Sequence, residues 1–311
     1  MELINDIYTY LHDAISLLVS YIVSPNKRIY YLYLLSSAVL ATLVYYSKPR
    51  KTSIIEYFFG KKHWWGQSAF TDYGLMTLNS LVKVILIAPF LIFSLKIAFY
   101  THEYIIDTWG YFKGDIPKSF IIGLYTITIF VLGDFTSWLL HYLQHKIPFL
   151  WRFHAIHHSA TVLNPLTQYR IHPVELLFNN ARSIIVIGVL MGVFEYLGNG
   201  RVSYFTFNSV NVLNFIFLFF GANLRHSSVE LKYPSWLEVV FISPYQHQIH
   251  HSNAEEHFDK NMGAKLAIWD WMFGTLILSK SVDKIKFGLG VAEDAHYNSL
   301  WKNIIRPFKS N

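Results

Sequence analysis

The chain contains no cysteine. Disulfides, thiolate metal sites and cysteine nucleophiles are therefore excluded together, and any bound metal must be held by nitrogen and oxygen. Charge is also scarce. Only 15% of the 311 residues are Asp, Glu, Lys or Arg, against about 25% in an ordinary soluble domain. Apolar side chains fill the deficit, 53% hydrophobic and 18% aromatic, which points to a membrane protein. The N-terminus lacks a basic region: Glu2, Asp6 and Asp13 stand where a secretory signal would carry lysines, so no cleavable leader is expected. There is no G-x-G-x-x-G, no Walker loop, no appended haem motif and no H-E-x-x-H. Nucleotide-cofactor binding and zinc-protease chemistry lose their usual signals. The formal charge of +6 is read as topology-setting rather than as affinity for nucleic acid.

Long apolar runs are what the chain does have. Five stretches, about Ile29–Tyr46, Ser80–Tyr100, Ser119–Leu140, Arg182–Leu197 and Ser203–Gly221, approach the length needed to cross roughly 30 Å of hydrocarbon. Each must be helical, because lipid offers backbone amides no partner. Ile4–Val23, interrupted by Asp6, His12 and Asp13, reads as an interfacial amphipathic helix. The Lys and Arg bias places the N-terminus outside, with Lys27 and Arg28, and the C-terminus in the cytoplasm. Two polar blocks, His141–Asn180 and Arg225–Asn311, then share the cytoplasmic side. The fold class expected is all-α: a multi-pass integral-membrane helical bundle with a cytoplasmic helical cap. Three regions are expected: membrane and interfacial helices over 1–118, a catalytic domain over 119–278 and a basic tail over 279–311.

The cap would carry the histidines, of which the chain has 15. His141 and His145 form an H-x3-H at the end of the third run. His154, His157 and His158 form an H-x2-H-H, and His247, His250 and His251 repeat it, with His226 standing alone after the fifth run. Two chance copies of H-x2-H-H are implausible, since one chain of this composition gives about 0.04 such matches. On a helix, positions i, i+3 and i+4 share a face, so each cluster presents its imidazoles together. Imidazole suits iron, zinc, copper or nickel, and nine nitrogens fit two ions with open positions better than one structural ion. Lone His12, His63, His102 and His296 read as solvated or capping residues, and His257 as a loop residue. His172 stands in Arg170-Ile171-His172-Pro173-Val174-Glu175, either as a support for ligands or as a turn residue. Asp134, Glu175, Asp259, Asn261 and Asp270 are candidates to orient the rings, or caps and surface groups. A metal transporter is the rival class, but the middles of the apolar runs are nearly free of polar side chains.

The order of boxes resembles the fatty acid hydroxylase/sterol desaturase superfamily. Gly133-Asp134, Leu150-Trp151-Arg152-Phe153-His154, His251-Ser252, Asp259-Lys260-Asn261, Ile268-Trp269-Asp270 and Phe273-Gly274-Thr275 carry the likeness over about 119–278. The ending is similar to that of the alkylglycerol monooxygenase branch. The resemblance implies a non-haem di-iron site held by His141, His145, His154, His157, His158, His226, His247, His250 and His251. It also implies O2 as co-substrate, a membrane lipid as substrate, and electrons from a separate reductase and carrier. One position departs from some members: Ala222 stands where they place a histidine, four residues before His226. Hydroxylation and desaturation use the same cage and stay open as alternatives.

Overall fold

The computed structural model describes residues 2–202 and 211–309. Among the described residues there is no β-strand, only two isolated antiparallel bridges. The molecule is a helical membrane bundle surmounted by a compact head of short helices and loops.

Among the described residues three helices are long and apolar enough to cross a bilayer: Gln67–Trp109, Lys118–Lys146 and Pro173–Gly198. The first is interrupted. An α-helix over Gln67–Val82 (α3, after α1 at Glu2–Val23 and α2 at Tyr31–Tyr46) passes into a π-helical turn at Lys83–Ile87 and a 3-10 turn at Ala88–Phe90 before α4, Ile92–Trp109. Pro89 sits in this break, where its missing N–H and its ring disrupt the regular ladder. The apolar run over 80–100 therefore straddles a break rather than forming one uniform span. Lys118–Lys146 (α5) and Pro173–Gly198 (α7) follow, separated by α6, Pro148–His158.

α4, α5 and α7 form the apolar bundle around Ala98, Ile121, Tyr125, Met191 and Phe194. Without a hydrophobic drive between helices in lipid, close backbone approach matters most. Gly188 and Gly192 supply it: a Cβ at Gly188 would meet Ile97 at 2.7 Å, and one at Gly192 would meet the Ala98 carbonyl at 2.4 Å. The outer faces are apolar too. Phe120, Leu124 and Ile127 make an exposed stripe along α5 at helical spacing, as a lipid-facing surface requires.

One expected crossing is revised, and another lies partly outside the described residues. α2 has 16 residues, short of the ~20 a span needs, and both its ends lie on the histidine side. Arg28, just before it, acts electrostatically on His157 and His226. Ala41 and Val44, near its end, pack on Leu224 and Val229 beside His226. Lys27 and Arg28 thus sit with the histidines, not across the membrane from them. Of the fifth run, residues 203–210 lie outside the described part, and the described remainder is the short α8, Val212–Phe219. The fourth run is the C-terminal part of a longer helix. The first turns of α7 are polar (Glu175, Asn179, Asn180, Arg182) and belong to the head, which is why the hydropathic run begins late.

Candidate metal centre

Each histidine box is positioned by a local device. α5 extends past its apolar stretch to carry His141 and His145. α6 starts at Pro148, whose missing N–H costs nothing in a first turn. The last box lies on α9, Pro244–His250, opened by a reciprocal capping box: Gln246 N–H donates to Ser243 Oγ at 3.1 Å, and Ser243 N–H donates to Gln246 Oε1 at 2.9 Å.

The nine rings converge in two groups. His141, His145, His154, His158 and His250 form one; His157, His226, His247 and His251 form the other, each with its donor atoms within 4.8 Å of one another. Each H-x2-H-H box is split. Its i and i+4 residues join one group and its i+3 residue joins the other, in opposite senses for the two boxes. A shared helical face was the expectation; the finding is that the face straddles two sites. They adjoin, with the His158 and His251 rings stacked at 4.6 Å.

The distances fit shared ions. His141 Nε2 lies 3.0 Å from His154 Nε2, and His158 Nε2 3.2 Å from the same atom. In the other group, His226 Nε2 lies 3.3 Å from His157 Nε2 and 3.2 Å from both His247 and His251 Nε2. Two imidazole nitrogens about 2.1 Å from one ion, at 90–110°, stand roughly 3.0–3.4 Å apart. The outer nitrogens fix the tautomers. Nδ1–H of His141 donates to the Met262 carbonyl at 2.8 Å, that of His250 to Lys260 at 2.8 Å, and that of His157 to Arg170 at 3.2 Å. A carbonyl only accepts, so in the neutral rings the inward Nε2 atoms carry bare lone pairs. Such lone pairs repel one another at 3 Å unless a cation lies between. His145 Nε2 and His250 Nε2 are buried and without a partner among the described residues. Burial also holds His154, His158, His226, His247, His250 and His251 well below their ordinary pKa, and His157 at about 3. The neutral ring is the metal-binding form. The donor set fits two transition ions.

The expected supporting residues divide. Glu175 accepts from His154 Nδ1–H at 3.0 Å and Asp259 from His145 Nδ1–H at 3.2 Å. The His145 and Lys146 contacts hold the Asp259 carboxyl down at about 2. Asp259 and Asn261 have φ of +57° and +53°, a region Asp and Asn tolerate better than most residues. That backbone aims the intervening Lys260 carbonyl at His250, while Asn261 Nδ2 donates to Gln246 and Ile277 carbonyls. Asp270 accepts from the Met262 and Gly263 N–H groups at 2.9 and 2.7 Å, fixing the carbonyl that orients His141. Asp134 accepts from Leu266 N–H and Trp269 Nε1–H and acts one step further out. His172 touches no ring of the cage through hydrogen bonding. Its Nδ1 accepts from Val174 N–H, capping α7, and its Nε2–H donates to the Ile304 carbonyl. Both nitrogens are engaged with backbone groups. His257 is buried but joins neither group.

Several functional contacts were not legible. The carbonyls of Arg170, Lys260 and Met262 orient rings, yet a carbonyl leaves no trace in residue identity. Asp72 on α3 was missed as well. It accepts from Thr167 Oγ1 and Asn164 Nδ2 and pairs with buried Arg170 at 3.3 Å, fixing the loop whose carbonyl holds His157. Two cavities reach the rings. One, of about 500 Å³, meets His145, His158 and His250 under a wall from Leu289 and Tyr297. The other, of about 480 Å³, meets His141, His154, His157, His226 and His247.

An all-helical membrane bundle with paired imidazole clusters in its head is the class of protein this architecture defines. Within that class, the model of the fatty acid hydroxylase family matches residues 126–275 and so spans all nine clustered histidines. It is similar to the ornithine lipid hydroxylase of Rhizobium tropici, 30% identical over 162 residues, or 51% of this chain and 44% of that protein. The alkylglycerol monooxygenase of Caenorhabditis elegans is 24% identical over 221 residues, 67% of this chain and 38% of the relative. Human cholesterol 25-hydroxylase is 28% identical over 169 residues, 52% and 54% respectively. The matches thus span about half or less of these relatives' lengths. No solved structure matches significantly.

Proposed function

We propose that the protein hydroxylates a C–H bond of a membrane lipid, using O2 and a pair of irons held by the nine clustered histidines. The observation that carries this reading is the convergence of two neutral imidazole groups, lone pairs inward, at one end of a bundle of helices long and apolar enough to cross a membrane. The names of the relatives, all lipid or sterol hydroxylases or monooxygenases, support the substrate class. The balance is R–H + O2 + two electrons + two protons giving R–OH + water. Bound iron would supply the O2 activation. The chain's own residues hold the ligand rings in one tautomer, keep them neutral, and shield the reacting carbon from water. His141, His145, His154, His158 and His250 would hold one ion, and His157, His226, His247 and His251 the other. Electrons would come from a separate carrier. The cage would face the cytoplasm: Lys27 and Arg28 line a cavity beside it and Lys48 pairs with Glu230 of the head, whereas Arg201 pairs with Asp115 past the other end of α7.

The test is product formation from added lipid by His250→Ala, with His296→Ala as control. His250→Ala should lose turnover and metal while keeping its membrane abundance. Full activity in His250→Ala, or equal loss in both variants, rejects the assignment.

A further inference from the structure

The 480 Å³ cavity beside the cage has an unusual wall. Lys27, Arg28, Lys83, Arg182 and Arg225 all line it, and Glu175, already bound to His154, is the one carboxylate among its lining residues. None of these five cations forms a salt bridge among the described residues. The ion pairs near the head go to other partners, such as Lys146 with Asp259 and Arg170 with Asp72.

The five form a graded path. Arg28 is exposed, Lys27, Lys83 and Arg182 are half-buried, and Arg225 is buried. Lys27 and Lys83 both lie over the ring of Tyr21, at 5.4 and 5.1 Å, and Lys83 Nζ donates to the Tyr21 hydroxyl at 3.0 Å. Two ammonium groups on one ring repel each other. Arg182 uses one guanidinium nitrogen on the Gly133 carbonyl and Thr136 and another on Ser183, leaving its buried Nε without a partner. Arg225 meets only neutral groups: the Ala222 and Ala264 carbonyls and the Phe217 ring. Asp134 lies behind this wall, but it serves Lys265 at 3.8 Å and two neutral donors. Burial and neighbouring cations push Lys27 below its ordinary pKa and Arg225 down to about 9. The π-turn begins at Lys83, and such turns recur at functional sites.

Unpaired cations gathered in a part-buried cavity are costly unless an anion completes them. The cavity is walled by the head ends of α5 and α7, by the turn before α2 and by the break between α3 and α4, and His141, His154, His157, His226 and His247 of the cage line it. We propose that it receives the anionic headgroup, phosphate or carboxylate, of the lipid substrate, so that the carbons next to the headgroup lie over the cage. The proposal deepens the hydroxylase reading and rests on it for the word substrate; the binding itself does not.

The test uses the full chain in neutral detergent and follows thermal unfolding by tryptophan fluorescence. The ligands are a short-chain phosphatidic acid, the diacylglycerol with the same chains, and inorganic phosphate. Phosphatidic acid should raise Tm saturably, and the other two should not at equal concentration. The double variant Arg28→Gln/Lys83→Gln removes two charges without removing a carbonyl tether. It should weaken the phosphatidic acid midpoint by about tenfold or more. Lys51→Gln, a cation outside the cavity, should match the unmodified protein. Equal shifts with diacylglycerol would overturn the anion site. A full shift with inorganic phosphate alone would overturn the lipid headgroup as its occupant. An unchanged midpoint in the double variant would remove the cavity from the explanation. Lost binding with hydroxylation intact would sink this proposal and leave the function standing; intact binding without any oxidised product would do the reverse.

Discussion

The two histidine groups have similar nitrogens and different surroundings. In the five-membered group, His145 and His154 donate to carboxylates, and His141 and His250 to carbonyls. In the four-membered group, His157 donates to a carbonyl, while Nδ1 of His247 and of His251 is buried without a partner among the described residues. A carboxylate behind an imidazole fixes its orientation and raises its basicity. The five-histidine group is therefore the more rigid and electron-rich, and the four-histidine group the more adaptable. The cationic cavity meets three rings of the looser group, His157, His226 and His247, and two of the tighter one, His141 and His154. One ion is expected to be held tightly in a fixed frame, and its neighbour more weakly.

The largest test removes a charge from the tight site. Glu175→Gln keeps an oxygen that can accept from His154 but loses the carboxylate. Affinity at the five-histidine site should fall about 10–100-fold, with a smaller change at the other, read by calorimetric metal titration of the apo protein. Equal loss at both sites would erase the distinction. A second test leaves the sequence alone. Titrating the metal-loaded protein with a chelator should release the ions in two steps, about tenfold apart. A single step releasing both would show that the difference in surroundings has no energetic consequence.

The contrast also explains what the sequence made legible. All nine clustered histidines were readable, because the proposed metal cage would demand one residue type at fixed spacings, and three of them belong to each H-x2-H-H. How each box divides was not readable, since helical spacing says that residues share a face and not what stands opposite that face. Glu175 and Asp259 could be nominated as charged residues near boxes. Asp72 could not, as it lies on a helix far upstream of the motifs and acts through Arg170. The crossings were less legible than the cage. Hydropathy sees composition, so it did not separate α2, which lies beside the head, from a true span. It also truncated α7 at Arg182, because the polar first turns of that helix serve the cavity.

A smaller effect contrasts the head with the bundle. Gly192→Val places side-chain atoms where a Cβ alone would be 2.4 Å from a backbone carbonyl. The backbone must move, at a cost of about 1–3 kcal/mol or more. Gly123 on α5 has nothing within 4 Å of its Cβ position, so Gly123→Val is the matched control. Gly192→Val should lower Tm in detergent while the protein that remains folded keeps its full metal content. Metal loss in step with the Tm change would show that head and bundle are not separable.

The smallest expected effect decides the role of His172. A ligand and a helix cap predict different losses. As a cap, Nδ1 of His172 satisfies the Val174 N–H at 3.0 Å, and its ring packs against Phe153 and Phe308. Removing a capping acceptor typically costs about 0.5–2 kcal/mol. His172→Ala should therefore lower Tm by a few degrees and leave two metals per chain, with a modest fall in affinity through the nearby Glu175. Asn is a strong N-cap residue but does not reproduce an imidazole ligand. His172→Asn should accordingly recover most of the lost Tm with metal content unchanged. If instead both variants lose one ion and Asn rescues nothing, His172 reaches the metal in the loaded protein, and the cage holds ten imidazoles.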